Sequence, residues 1–179
     1  MFQYSFRTTV SVFCLSLFSL LSLTSCDREE INLLDEVERV LPGTWQIDSI
    51  YVVPGTEINY FGQVITEPTT ISNLGEWRVP SFDTEDLDLS TNVEASIASV
   101  LVMQGEETAL PVDKLFLSQG EYFAYFRASS AIETPIEQFV SDVRLFRRNV
   151  YIDLIDDDRI LIYDSSLGAD AEKMWLSRQ

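Results

Sequence analysis

From Thr44 onward, apolar and polar residues alternate along the chain. Trp45, Ile47, Ser49, Tyr51 and Val53 share one face, and Gln46 and Asp48 begin the other. A period of two is the mark of a half-buried strand, and Pro54-Gly55 ends it. Residues 60–66 and 75–79 read as further strands, separated by Glu67-Pro68 and Ser72-Asn73. Residues 80–90 are an acidic loop or edge. Residues 97–103 form a continuous apolar run, which suits a buried strand and a buried helical segment equally. Residues 112–118 and 122–128 predict a hairpin turned at Gln119-Gly120. Residues 149–155 and 159–163 predict a second, turned at Asp156-Asp157-Asp158. Residues 131–143 leave open one helical turn or two after Pro135, and residues 173–178 are the closing strand. Ahead of all these the period changes. Ile31, Leu34, Val37 and Leu41 recur at three- and four-residue spacing, with Asp35, Glu36 and Glu38 opposite them. That predicts a short amphipathic helix, stopped by Pro42-Gly43. The expectation is an all-β, antiparallel up-and-down β-barrel of about eight strands with a short N-terminal helix. A closed barrel leaves no bare strand edge on which copies can pair.

The first 25 residues belong to a different pattern. Residues 1–10 carry Arg7 and no acid, residues 11–23 are apolar, and Leu23-Thr24-Ser25-Cys26 follows. This order of charged, apolar and cleavage regions reads as a signal peptide. The apolar run falls short of the roughly 20 residues that a membrane-spanning helix needs. Leu23-Thr24-Ser25-Cys26 resembles the lipobox of bacterial lipoproteins, in which the cysteine is lipidated and becomes the first mature residue. The resemblance implies a division into signal (1–25), lipidated acidic tether (26–30) and β-barrel domain (31–179). Lipidation at Cys26, by palmitate and similar acyl chains, then leaves 154 mature residues, enough for one sizeable core. Cys14 leaves with the signal, so no thiol remains for a disulfide, metal or nucleophile. Asp27-Arg28-Glu29-Glu30 resembles the acidic export signals of Bacteroidota-type surface lipoproteins, and a solvated linker would read the same. The implied location is the outer membrane, with the periplasmic and cell-surface faces both open.

Charge adds an exclusion. The chain carries a net −17, and the mature part −18 once Arg7 is removed. Such a surface repels phosphate backbones and anionic headgroups, which argues against nucleic-acid binding. Membrane attachment then comes from the acyl chains, at about 0.8 kcal/mol per buried methylene.

Gly43-Thr44-Trp45 and Trp175-Leu176-Ser177-Arg178 together are similar to the lipocalin family. That resemblance implies that Arg178 packs over Trp45 and seals the barrel floor beside Gly43, with a cation–π contact worth about 0.5–2 kcal/mol. The sequence departs from larger lipocalins in ending one residue after Arg178 and in lacking a counterpart of their second motif. It looks more like the compact lipocalin-like domains of bacterial lipoproteins.

Catalytic options are few. The chain has no histidine, which removes Ser-His and Cys-His schemes and histidine metal sites. Lys114 and Lys173 lack a serine three residues earlier, and the glycines are scattered at turns. Asp83, Glu85, Asp86 and Asp88, like Asp156 to Asp158, read as solvated loop acids, with loose calcium binding at Asp86 and Asp88 as a minor alternative. The twelve residues 153–164 lack the central glycine of an EF-hand and place Ile155 and Arg159 at ligand positions. No enzyme, metal or cofactor is expected. The aromatic residues Tyr51, Trp77, Phe116, Tyr122, Phe126 and Tyr151 are the informative set. They either fill the barrel or line a pocket in it. The leading expectation is a lipid-anchored lipocalin-like protein that takes a small apolar ligand in its barrel, with Tyr51 foremost in the pocket. The alternative is a filled barrel that presents its loops to a partner protein or glycan.

Overall fold

A helical entry segment, α1 (residues 35–40), leads through a bend at Leu41-Pro42 into the first strand. The computed structural model describes residues 35–82, 97–118, 121–164 and 171–179. The leader, Cys26 and the tether lie outside these residues. So do Ile31, Leu34, the acids from Asp83 to Asp88, and the Gln119-Gly120 turn.

The strands are β1 (Gly43–Val52), β2 (Ile58–Tyr60), β3 (Gln63–Ile65), β4 (Thr69–Val79), β5 (Val100–Met103) and β6 (Glu106–Ala109), then β7 (Val112–Ser118), β8 (Glu121–Phe126), β9 (Asn149–Asp156), β10 (Arg159–Asp164) and β11 (Lys173–Arg178). Nine of them form one antiparallel sheet in the order β6-β5-β4-β1-β11-β10-β9-β8-β7, curled into a half-barrel. Its two outer strands follow one another in the chain, with only Leu110-Pro111 between them. Around that joint Ile97 and Val112 exchange two backbone hydrogen bonds of 2.9 Å, and the Leu110 N–H donates to the Ser99 carbonyl at 3.0 Å. A separate hairpin, β2–β3, turns through Phe61 (φ 49°) and Gly62 (φ 88°), both in the left-handed region that such tight turns require.

Helix α2 (Pro135–Asp142) follows Pro135 for two turns. Its first turn is a capping box. The Thr134 hydroxyl accepts from the Glu137 N–H, and the Glu137 carboxylate accepts from the Thr134 N–H at 3.0 Å. Ile136, Phe139 and Val140 form its buried face, and a 3-10 turn (Arg144–Arg147) adds Leu145 and Phe146. These elements and the β2–β3 hairpin cover the Val52 end of β1, while α1 covers the Gly43 end.

The alternation along β1 is interrupted. Between Ile47 and Ser49 a bulge shifts the register against both β4 and β11, and the buried set changes from Trp45 and Ile47 to Ile50 and Val52. One extra residue moves every later side chain to the other face. Tyr51 and Ser49 therefore face outward, contrary to the uninterrupted pattern expected from sequence. Strand β4 carries the matching irregularity at Asn73 (φ 55°) and Gly75 (φ 148°). Residues 60–66, expected as one strand, fall in two, β2 and β3, and a further hairpin runs from Met103 through Gln104-Gly105 into β6.

Candidate functional site

At the Gly43 end, Arg178 gathers three parts of the chain. Its Cζ lies 4.6 Å from the centroid of the Trp45 ring. Its guanidinium donates to the carbonyls of Val40, Pro42 and Asp157, the last at 3.0 Å. The Trp45 indole N–H donates in turn to the Leu41 carbonyl at 2.8 Å. Gly43 has no side chain for a reason: a Cβ there would meet Arg178 Nη1 at 3.0 Å, and its φ is +138°. Arg39 makes two hydrogen bonds to Asp157, at 2.9 and 3.1 Å, which hold that carboxyl below the usual carboxylate range. The entry helix, the β9–β10 turn and the two terminal strands are thus drawn together beneath one indole.

The interior is built from aromatic rings in mutual contact. Trp77 and Phe126 meet edge to face at 5.7 Å, Phe126 meets Phe146 at 6.1 Å, and Phe146 meets Phe139 at 6.4 Å. Tyr60 continues the series against Phe139 at 5.3 Å. The Trp77 N–H donates to the Ser99 hydroxyl at 2.9 Å, and that hydroxyl donates to the Leu110 carbonyl. Trp77 and Phe126, together with Trp45, are fully buried. Such edge-to-face pairs each add about 0.5–1.5 kcal/mol to the burial of their area.

The other aromatic residues singled out from sequence lie elsewhere. Phe116, Tyr151 and Tyr51 occupy outward positions of β7, β9 and β1. Phe116 stacks on Phe123 at 5.1 Å, Phe123 meets Tyr151 at 4.1 Å, and Tyr151 stacks on Tyr163 at 5.2 Å. All are cross-strand partners. Register carries the row on through Lys173 to Tyr51. An aromatic ladder thus runs over the outside of the sheet. The sequence showed its members as separate strand aromatics, and only the pairing register makes them neighbours.

Beside this ladder lies a cleft of about 290 Å³, lined by Glu36, Glu121, Tyr122, Tyr151, Ile152, Asp153, Leu154 and Tyr163. Tyr122 is buried and reaches Glu36 of α1 at 3.4 Å. Burial, and then the negative charge of Glu36, push its phenol pKa well up. Burial also raises the Tyr163 phenol, with Glu121 and Asp153 adding to it. Two further clefts share Thr56, Glu57 and Asp142 on the outside of the hairpin and α2.

Two carboxylates are wholly interior: Asp164, with Arg148 Nη1 3.6 Å from its Oδ2, and Glu172. Glu172 accepts from the Val53 N–H at 3.1 Å and the Leu145 N–H at 2.7 Å, with Arg144 Nε 3.6 Å away. It ties β1, the 3-10 turn and the approach to β11 together. Its partners are structural, and it does not open onto any of the three clefts. Among the described residues no three side chains of the metal-ligating types stand close enough to hold an ion. Asp86 and Asp88 lie outside the described residues. Comparison with family models, curated proteins and solved structures finds no match.

Proposed function

We propose that this chain is a lipid-anchored, non-catalytic surface module of the outer membrane, built on a lipocalin-like barrel whose interior is filled. The observation that carries this reading is the continuous packing of Trp77, Phe126, Phe146 and Phe139, in the space where an apolar ligand would sit. The three clefts described among these residues open at the surface. The alternative, a ligand held inside the barrel, would need at least one of these rings to swing away. Ring-on-ring packing at interior density resists that.

The barrel reading draws on the two outer strands, which are one bent stretch of chain joined by the Ile97–Val112 bridge to the segment ahead of β5. The family resemblance draws on Gly43, Trp45 and Arg178 in mutual contact. The anchor draws on Leu23-Thr24-Ser25-Cys26.

Two measurements test the proposal. The full chain in mild detergent, titrated with a fluorescent fatty acid, is expected to show no saturable binding. One-to-one binding that quenches tryptophan fluorescence would overturn the filled interior. Metabolic labelling with palmitate is expected to mark the parent and not Cys26→Ala, which should leave the membrane fraction. Label retained in that variant would overturn the anchor.

A further inference from the structure

The cleft between α1 and strands β8, β9 and β10 has the makings of a receptor for a cation on an apolar stem. We propose that it takes the arginine side chain of a partner polypeptide. This deepens the reading of the chain as a surface module by naming what one of its surfaces recognises.

Three features support the proposal. The first is shape. About 290 Å³ lies at the low end of the range for small-molecule pockets and admits one long side chain. The second is the division of chemistry within it. The flanks of Tyr151 and Tyr163, with Ile152 and Leu154, offer apolar walls to a methylene stem. Glu36, Glu121 and Asp153 place carboxylates around the same space. Glu121 and Asp153 are exposed and occupy the same outer face as Phe123 and Tyr151, one alternation along their strands. The third is the spread of that charge. Glu36, Glu121 and Asp153 reach the one space from α1, β8 and β9, and a planar, multi-donor guanidinium can meet acceptors on more than one side.

Other occupants fit less well. The faces of Tyr151 and Tyr163 stack on one another, 17° from parallel, so a sugar finds little open ring on which to lie. An anion meets only carboxylates and phenols. Burial is the larger cause of the raised Tyr163 phenol, and the charges of Glu121 and Asp153 that add to it favour a cation at the same place. The chain's net −17 draws basic partners toward it at low ionic strength.

The test titrates the full chain in mild detergent with N-acetyl-arginine amide and with its neutral isostere, N-acetyl-citrulline amide. NMR shifts of the tyrosine rings provide the readout. The arginine compound is expected to bind saturably and at least tenfold more tightly, and to weaken as salt is added. Glu121→Gln/Asp153→Asn changes two exposed side chains, so it should keep the parent melting temperature while losing at least tenfold in arginine affinity. A hexapeptide with one central arginine should bind more tightly than the isolated amide. Equal binding of arginine and citrulline would overturn the proposal, as would parent-like affinity in the double variant. A peptide no tighter than the amide would overturn the polypeptide source. None of these failures touches the filled interior, which the fatty-acid titration tests separately.

Discussion

Arg178 caps Trp45, its Cζ 4.6 Å from the indole centroid, and the two residues are also cross-strand partners on β11 and β1. The guanidinium does more than stack, because it supplies donors to Val40, Pro42 and Asp157. Replacing it by alanine removes those donors along with the cation–π contact, at a cost of about 2–3 kcal/mol. Arg178→Lys is expected to recover less than half, since an ammonium cannot fork to separate carbonyls. Trp45→Ala opens the core and should cost about 3–5 kcal/mol. Urea unfolding of the three variants checks the ranking.

Among the described glycines, Gly75 is the least able to accept a side chain. A Cβ there would stand 1.9 Å from the Val102 carbonyl oxygen, on a residue with φ +148°. Gly75→Ala must push β4 from β5 or abandon the bulge, and about 3 kcal/mol or more is expected. Gly62→Ala, with nothing near its Cβ, meets only the strain of its φ of +88° and should lose distinctly less. Comparing their denaturation midpoints isolates the close approach.

Glu172 gives a pH signature. Burial is the largest influence and raises its pKa above the usual carboxylate range, against the pull of the Leu145 and Val53 N–H groups and Arg144. A carboxyl that holds its proton more tightly when folded favours the fold below its unfolded pKa. That contribution is lost as pH rises through the raised folded value. Glu172→Gln does not titrate. It should therefore compare less favourably with the parent at pH 4 than at pH 7, as read from urea midpoints. Glu172→Ala orphans two N–H groups and Arg144, and is expected to cost about 3–5 kcal/mol.

The bulge in β1 makes a prediction at adjacent residues. Ile50 is fully buried, whereas Tyr51 faces outward. Ile50→Ala should cost about 2–5 kcal/mol, and Tyr51→Ala clearly less. A reversed order in thermal melts would mean that the register runs through without a shift.

That same residue pair shows what could be read from the chain and what could not. The β9–β10 hairpin, the closing strand and the turn at Pro42-Gly43 are written in local alternation and turn residues, so they were legible. The bulge at 47–49 was not, because a bulge is decided by both neighbouring strands and leaves only a faint mark on its own. Phe61 in the left-handed region of the β2–β3 turn runs against its propensity and concealed that hairpin. Strand β6, Glu-Glu-Thr-Ala, is too short and polar to announce itself. The cleft was hidden for a related reason: Glu121, Asp153 and Tyr163 come from three strands, and only register makes them neighbours.

Strand β1 lies between β4 and β11, so one of its ladders stays unmade until the far end of the chain arrives. Pairings of such long sequence separation make folding slow. A chain emerging amino end first from a ribosome must therefore hold its opening strand half-saturated until synthesis ends. The guanidinium meets the indole only once that last strand has paired.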